Sequence, residues 1–172
     1  MYRYKKLLTI TFLMFLLTFI IISPVFSSDI LKIHFIDVGQ ADSTLIQFPD
    51  QKTMLIDAGN NNDGQKLVNY IKAQNIKSID YLIGTHPHAD HIGGMDDIIN
   101  SFKINKIYMP RVNHTTQTYE DVLLAIKNNN LKITSAKQGI NILNQNNLNA
   151  TILSPIKANY ENAEASLASA KT

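Results

Sequence analysis

The chain has 172 residues, of which 45% are hydrophobic, so it is long enough for one domain with a buried core. It contains no cysteine, which excludes a disulfide framework and a zinc–cysteine site. Its formal net charge is only +2, and no block of basic residues marks a strong groove for the phosphate backbone of a nucleic acid.

The first segment has the layout of an export signal. A basic start, Arg3 with Lys5 and Lys6, precedes an apolar run from Leu7 to Ile22. That run is shorter than the ~20 residues that a membrane-spanning helix usually needs. We therefore predict cleavage after Ser27, with an uncleaved membrane anchor as the alternative, and in both cases the domain lies outside the cytoplasm.

Three segments are predicted: a signal peptide or anchor over 1–27, a domain over 28–156, and a flexible or helical tail over 157–172. The tail is rich in alanine and serine and has few large apolar residues, which is typical of a frayed or disordered end. Removing the first segment takes three of the 16 basic residues and leaves 13 against 14 acidic ones. The secreted or anchored domain is therefore close to neutral, at about −1.

The hydrophobic pattern predicts strands first and then strands alternating with helices. Predicted strands cover 31–37, 43–48, 53–57, 79–84, 104–109, 131–134, 140–143 and 148–153. Predicted helices cover 65–74, 95–102 and 119–127, the last with a buried stripe of Val122, Leu123 and Ile126. This order of elements indicates a layered α/β domain.

Three of the five histidines lie in one short run, directly after the predicted strand 79–84. In an extended segment alternate residues point the same way, so His86 and His88 can face one metal ion. Asp90 and His91 can then address a second position as the chain turns into a helix, where Gly93 and its glycine neighbour allow a close backbone approach. Imidazole and carboxylate are ordinary ligands of zinc, so this density favours a metal centre over a loop of surface histidines.

Other polar residues are weaker candidates. His34 belongs to an alternating strand, which is typical of a packed or surface histidine, and His114 is expected to be a solvated loop residue. Arg111 could contact an anionic substrate. Asp37 and Asp42 frame a predicted turn, where they either line the mouth of the site or cap the turn.

Three motifs in order resemble the metallo-β-lactamase fold. The run His86–His91 matches its His-x-His-x-Asp-His signature, and Leu55–Gly59 is similar to its first aspartate motif. His34–Ser43 resembles the opening strand and turn of the ComEC/Rec2-like branch of competence proteins. The resemblance implies an αββα sandwich with a metal site at one edge of its sheets, and the chain covers the N-terminal half of that fold.

The same resemblance implies roles for individual residues. His86 and His88 would bind the first metal, and Asp90 and His91 the second, with Asp90 also orienting or deprotonating the attacking water. Asp57 would hold the histidine run by hydrogen bonds, the alternative being an ordinary turn aspartate. The implied cofactor is one or two Zn²⁺ ions, with Mn²⁺ as the alternative, and the implied reaction is hydrolysis of a phosphodiester or nucleic acid by a metal-bound hydroxide.

Members of this fold carry a bridging aspartate and a late histidine in their second half, but here no histidine follows His114 and no aspartate follows Asp121. Two functions are therefore expected from the sequence. One is an exported metallohydrolase directed at phosphodiesters. The other is a truncated, catalytically inactive half-domain that binds metal or depends on assembly, since an uncovered sheet face favours self-association. Hydrolysis of lactams or thioesters is a third reading that shares the site.

Overall fold

A six-stranded sheet is the framework of the fold in the computed structural model, which describes residues 3–6, 8, 11–12, 14, 30–145 and 148–156. The sheet order is β1-β2-β3-β4-β5-β6, and β7 and β8 form a separate hairpin. The strands are β1 (Lys32–Phe35), β2 (Thr44–Gln47), β3 (Thr53–Ile56), β4 (Ser78–Ile83), β5 (Lys103–Met109), β6 (Ile133–Ser135), β7 (Asn141–Gln145) and β8 (Leu148–Thr151). The helices are α1 (Gly64–Ala73), α2 (Ala89–Ile92), α3 (Met95–Ser101) and α4 (Gln117–Asn128).

The direction of the strands divides the sheet into two halves. Strands β1, β2 and β3 are antiparallel neighbours joined by short connections. Strands β3, β4, β5 and β6 run parallel, because a helix-containing connection returns the chain to the same end of the sheet each time. The carboxyl ends of β3 and β4 therefore meet at one edge, and the amino end of β2 meets them there.

The predicted mixed α/β class is confirmed, and every predicted strand and helix has its counterpart, with ends displaced by a few residues. The short helix α2 was not predicted, because four residues are too few to show helical periodicity. The predicted burial of Leu123 is wrong, since this residue is 37% exposed. The buried face of α4 is instead formed by Val122, Ala125 and Ile126, which are three and four positions apart, whereas Leu123 lies about 100° further round the helix.

One face of the sheet packs against helices. The row Leu45, Leu55, Leu82 and Ile107 crosses four neighbouring strands in register, and all four side chains are fully buried. Helices α1, α3 and α4 cover this row with apolar residues at helical spacing, such as Leu67, Val68 and Ile71 in α1. The helix layer fixes the sheet, and through it the loops at the carboxyl edge.

The opposite face carries a second, smaller core beneath the β7–β8 hairpin. Phe48, Met54, Tyr81 and Tyr108 from the sheet pack there with Leu143 from the hairpin. In the αββα sandwich that the resemblance implies, a second sheet covers this face. Among the described residues, the β7–β8 hairpin packs on it instead. It leaves part of this face open, since Ile33 is 50% and Phe35 84% exposed on β1.

Some predicted features fall outside the described residues. The predicted tail, 157–172, lies wholly outside them, as does the predicted cleavage site after Ser27. Of the predicted signal segment 1–27, residues 3–6, 8, 11–12 and 14 are described, and they are helical. Within the described ranges, every helix is too short or too polar to cross a membrane.

Truncation of Leu82 to alanine should destabilise the fold by about 2–5 kcal/mol, because its side chain is fully enclosed between two strands and the helix layer. Urea unfolding followed by circular dichroism measures this loss. The matched control is Leu124→Ala on α4, where the side chain is 52% exposed and the change should stay within about 0.5 kcal/mol. Equal losses in the two variants would contradict the assigned core.

Candidate metal centre

Three loops meet at the carboxyl edge of the sheet. One joins β1 to β2, one follows β3 and the third follows β4. They are adjacent because β3 and β4 are parallel, with Ile56 opposite Ile83, and because β2 begins opposite the end of β3. The topology alone therefore brings the histidine run beside the aspartate that follows β3.

Backbone hydrogen bonds lock the histidine run onto the loop after β3. The amide of Ala58 donates to the carbonyl of His91 at 2.6 Å, and the amide of Gly93 donates to the carbonyl of Gly59 at 2.9 Å. A Cβ atom at Gly93 would overlap the backbone of Asn61. The close backbone approach predicted at this glycine is thus confirmed, and it exists because the residue has no side chain.

The carboxylate of Asp57 is buried beneath the histidine run. This residue follows β3 with φ of +59°, a left-handed conformation that aspartate tolerates better than most residues, and it is only 3% exposed. Its Oδ1 accepts from the Thr85 amide at 2.8 Å, and its Oδ2 accepts from the Thr85 hydroxyl at 2.7 Å. Oδ2 also lies 2.8 Å from Nδ1 of His91. Asp57 therefore binds both the start and the end of the run.

The contact with Asp57 determines how His91 presents its ring. An ionised carboxylate can only accept, so the 2.8 Å contact requires the proton of His91 to sit on Nδ1. In the neutral ring the lone pair is then on Nε2, on the side away from Asp57. Nε2 lies 3.8 Å from Oδ2 of Asp90 and 3.6 Å from Oδ2 of Asp42. A histidine held in this way is typical of metal ligands.

His86, Asp90 and His91 form a group of side chains that can hold a metal ion. Each offers one ligand atom, and these atoms lie within 4.8 Å of one another. Around an ion with bonds of about 2.0–2.2 Å, any two ligand atoms are at most about 4.4 Å apart, so small side-chain adjustments suffice. The donor set of two imidazoles and one carboxylate fits zinc and similar divalent ions.

His88 lies beside this group rather than within it. Its backbone is extended, with φ of −83° and ψ of 150°, and α2 begins at the next residue. Its ring centroid is 4.7 Å from that of His86 and 5.9 Å from that of His114. The structure thus groups His86 with Asp90 and His91, with His88 next to His86, and the assignment of His86 and His88 to one ion and of Asp90 and His91 to a second stays a prediction.

Burial lowers the pKa of the His86 imidazole below its usual value, and the neighbouring His91 and His88 lower it further. A lowered pKa keeps the ring neutral at physiological pH. The neutral imidazole is the form that binds a metal ion, since a proton and the ion compete for the same lone pair. The crowding of three histidines thus favours metal binding over protonation.

Sequence reasoning placed His114 in a solvated loop, whereas the structure brings it to the rim of the centre. Its Nδ1 lies 2.9 Å from Oγ1 of Thr116, the residue that caps α4. Helix α4 packs against α2 and α3, and this packing carries the preceding loop over His88. No local pattern reveals such a contact, because it depends on residues more than twenty positions apart.

The other polar residues singled out from the sequence lie in different environments. His34 hydrogen bonds to the hydroxyl of Tyr70 at 2.9 Å and to the amide oxygen of Gln47 at 3.0 Å, as a packed histidine does. Arg111 is exposed after β5. The carboxylate of Asp37 accepts from the amide of Gly39 at 3.1 Å and so caps the turn, while that of Asp42 faces His91.

Comparisons with known proteins match the part of the chain that carries the candidate metal centre. The sequence model of the Metallo-beta-lactamase superfamily matches residues 36–148. The chain is 30% identical over 164 residues to ComE operon protein 3 of Bacillus subtilis, covering 86% of this chain and 20% of that protein. It is 34% identical over 58 residues to hydroxyacylglutathione hydrolase of Vibrio parahaemolyticus, covering 34% of this chain and 21% of that enzyme. The chain thus spans about a fifth of the length of either relative.

A solved metallo-β-lactamase from Cronobacter sakazakii, described by a HARLDQ motif, is also similar. It is 23% identical with a TM-score of 0.40, and the match covers 44% of this chain and 29% of that one. The similarity to ComE operon protein 3 supports the branch inferred from His34–Ser43.

Replacing Asp57 with asparagine should weaken metal binding about 10–100-fold, because the amide nitrogen cannot accept from His91 or Thr85. Asparagine tolerates the left-handed backbone, so the substitution tests the carboxylate alone. Zn²⁺ affinity is measured by competition with a chromogenic chelator.

The control for this substitution is Asp80→Asn, since Asp80 also accepts from a backbone amide, that of Thr53, but lies on β4 at the other end of the sheet. Zn²⁺ affinity should be unchanged in this variant. A folded Asp57→Asn protein that binds Zn²⁺ as tightly as wild type would contradict the role of Asp57.

Proposed function

This chain belongs to the metallo-β-lactamase superfamily, and on that premise we propose that it is an exported metal-dependent hydrolase directed at phosphodiester bonds. The observation that carries the proposal is the hydrogen bond from His91 to the buried carboxylate of Asp57. That bond directs Nε2 toward the outside of the fold, where His86 and Asp90 also offer ligand atoms. An arrangement that serves only to pack the protein does not need an imidazole lone pair at its surface.

The residues that would hold a metal ion are His86, Asp90 and His91, with His88 beside them. A divalent ion bound there, Zn²⁺ or Mn²⁺, would polarise an oxygen of the substrate and acidify a water molecule. The chain's own residues supply the rest. Asp57 holds His91 in one tautomer, and Asp90, whose side chain is half exposed, is open to a water molecule whose proton it can accept.

A cleft of about 390 Å³ adjoins the centre at Ala89. It is lined by Val38 and by the loop Asn60–Asp63, which offers neutral amides and one carboxylate. These lining residues include no cation, so the charge of a bound phosphodiester would be compensated at the metal centre itself. A lining of amides and one carboxylate suits an uncharged polar part of the substrate that can donate hydrogen bonds, such as a sugar or base.

The choice of a phosphodiester over other substrates rests on similarity to the ComEC-like branch, which the relationship to ComE operon protein 3 supports. The relative from Vibrio is named for hydrolysis of a thioester, hydroxyacylglutathione, and the match to it is shorter. Export is proposed from Arg3, Lys5 and Lys6 followed by the apolar run, which would place the domain outside the cytoplasm, either secreted or anchored. A nucleic acid outside the cell is then the natural macromolecular substrate.

The proposed function is tested by metal content and turnover together. The purified chain, loaded with Zn²⁺ or Mn²⁺, should hold at least one ion and hydrolyse bis(p-nitrophenyl) phosphate, and His88→Ala should reduce turnover at least about tenfold. His34→Ala is the matched control. His34 lies on β1 and contacts Tyr70 of α1 and Gln47 of β2, so its replacement should leave turnover intact once folding is verified.

Other outcomes of this experiment assign other functions. Faster hydrolysis of a hydroxyacylglutathione thioester than of the phosphodiester would overturn the proposed substrate. The proposal that the chain is a metal-dependent hydrolase would still stand. Metal binding without any turnover would favour the alternative function, a catalytically inactive metal-binding or assembly-dependent half-domain. If the chain binds less than one ion and shows no activity that His88→Ala reduces, the proposal that it is a metal-dependent hydrolase is overturned.

A further inference from the structure

We propose that Asp42, in the turn between β1 and β2, is an additional metal ligand that completes an oxygen-rich cation position with Asp90 and His91. The inference rests on the proposed function, in that the histidine run must bind metal. It assigns a role to a residue outside the signature run, which comes from a loop 48 positions before Asp90.

The first support is the position of the Asp42 carboxylate relative to His91. Its Oδ2 lies 3.6 Å from Nε2, on the side of the ring opposite Asp57. Two ligand atoms on one tetrahedral ion with bonds of about 2.0–2.1 Å are about 3.3–3.4 Å apart. The observed separation therefore needs an adjustment of only a few tenths of an ångström.

The second support is electrostatic. Nδ1–H of His91 donates its hydrogen bond to Asp57, so in the neutral ring the lone pair on Nε2 faces Asp42, and a carboxylate has only lone pairs to offer in return. The carboxylate of Asp90 faces the same nitrogen at 3.8 Å. Three electron-rich atoms that converge in this way repel one another, and a divalent cation between them converts the repulsion into attraction.

The third support is the way the backbone fixes Asp42. Its amide donates to the carbonyl of Asp90 at 3.0 Å, and its carbonyl accepts from the amide of Gly59 at 2.9 Å. The hydroxyl of the next residue, Ser43, donates to the carbonyl of Asp57 at 3.1 Å. Asp42 is thus attached to both other loops of the centre, and only its side-chain torsions need to adapt to an ion.

Asp37, in the same turn, is a natural comparison. Its carboxylate accepts from the amide of Gly39 at 3.1 Å and stabilises the turn itself. The side chain of Asp42, by contrast, is 72% exposed at the mouth of the centre. A position formed by two carboxylates and one imidazole is richer in oxygen than one formed by histidines, and it therefore favours Mn²⁺ or a similarly hard ion more strongly.

The test compares metal binding by the full chain with that of Asp42→Asn and Asp37→Asn. Mn²⁺ binding is followed by electron paramagnetic resonance of the free ion, and Zn²⁺ binding by chelator competition. Asp42→Asn should weaken Mn²⁺ binding at least about tenfold, the loss that even an outer hydrogen-bond partner of a ligand causes. Asp37→Asn should change Mn²⁺ affinity less than about twofold, since the amide oxygen of asparagine still accepts from Gly39.

A purely structural role of Asp42 is excluded by melting the metal-free proteins. Metal-free Asp42→Asn should have the same melting temperature as metal-free wild type. It should lose only the rise in melting temperature that added Mn²⁺ provides. Asp42→Ser removes the carboxylate with a different small side chain and should show the same loss. Wild-type Mn²⁺ affinity in a folded Asp42 variant would overturn the inference, and turnover by wild type in that case would leave the proposed function standing. Absence of any bound metal in wild type would overturn both.

Discussion

The buried carboxylate of Asp57 is the constraint on which the functional end of this molecule depends. A carboxylate that is 3% exposed is costly unless hydrogen-bond donors surround it, and here Thr85 supplies two and His91 a third. Those donors belong to the segment after β4, the loop at Thr85 and helix α2 at His91, so the charge is satisfied only when this segment closes over the end of β3. The same closure fixes the ring of His91, so the folding of this edge also orients the candidate metal centre.

The sheet topology explains why such an arrangement forms at this edge. Parallel β3 and β4 end side by side, and helices α1 and α3 hold them from one face, so the loops beyond them start from fixed points. Backbone bonds through Ala58 and Gly93 then bring the loops into contact without intervening side chains. The left-handed backbone of Asp57, a strained conformation for a residue with a side chain, is maintained by these contacts.

Most of the fold could be predicted from local patterns, whereas the composition of the site could be predicted only in part. Period-two and helical spacings located the elements because each depends on neighbours within one strand or helix. The run His86–His91 could be recognised because its candidate ligands are close in sequence. His114 and Asp42 could not be assigned, because the packing of α4 and the β1–β2 turn brings them to the run from distant positions. The predicted burial of Leu123 was wrong because adjacent apolar residues on a helix do not show which of them faces the core. Tertiary packing decides this.

The central claim is that Asp57 holds His91 as the Nδ1-protonated tautomer with Nε2 directed outward. The most direct measurement is nitrogen-15 NMR of the imidazole rings in the metal-free chain at about pH 8, where an ordinary histidine is neutral. The account predicts a protonated Nδ1 and an unprotonated Nε2 for His91, and a shift of the Nε2 resonance when Zn²⁺ is added. A His91 ring protonated on Nε2, or one whose Nδ1 rather than Nε2 responds to the metal, would contradict it.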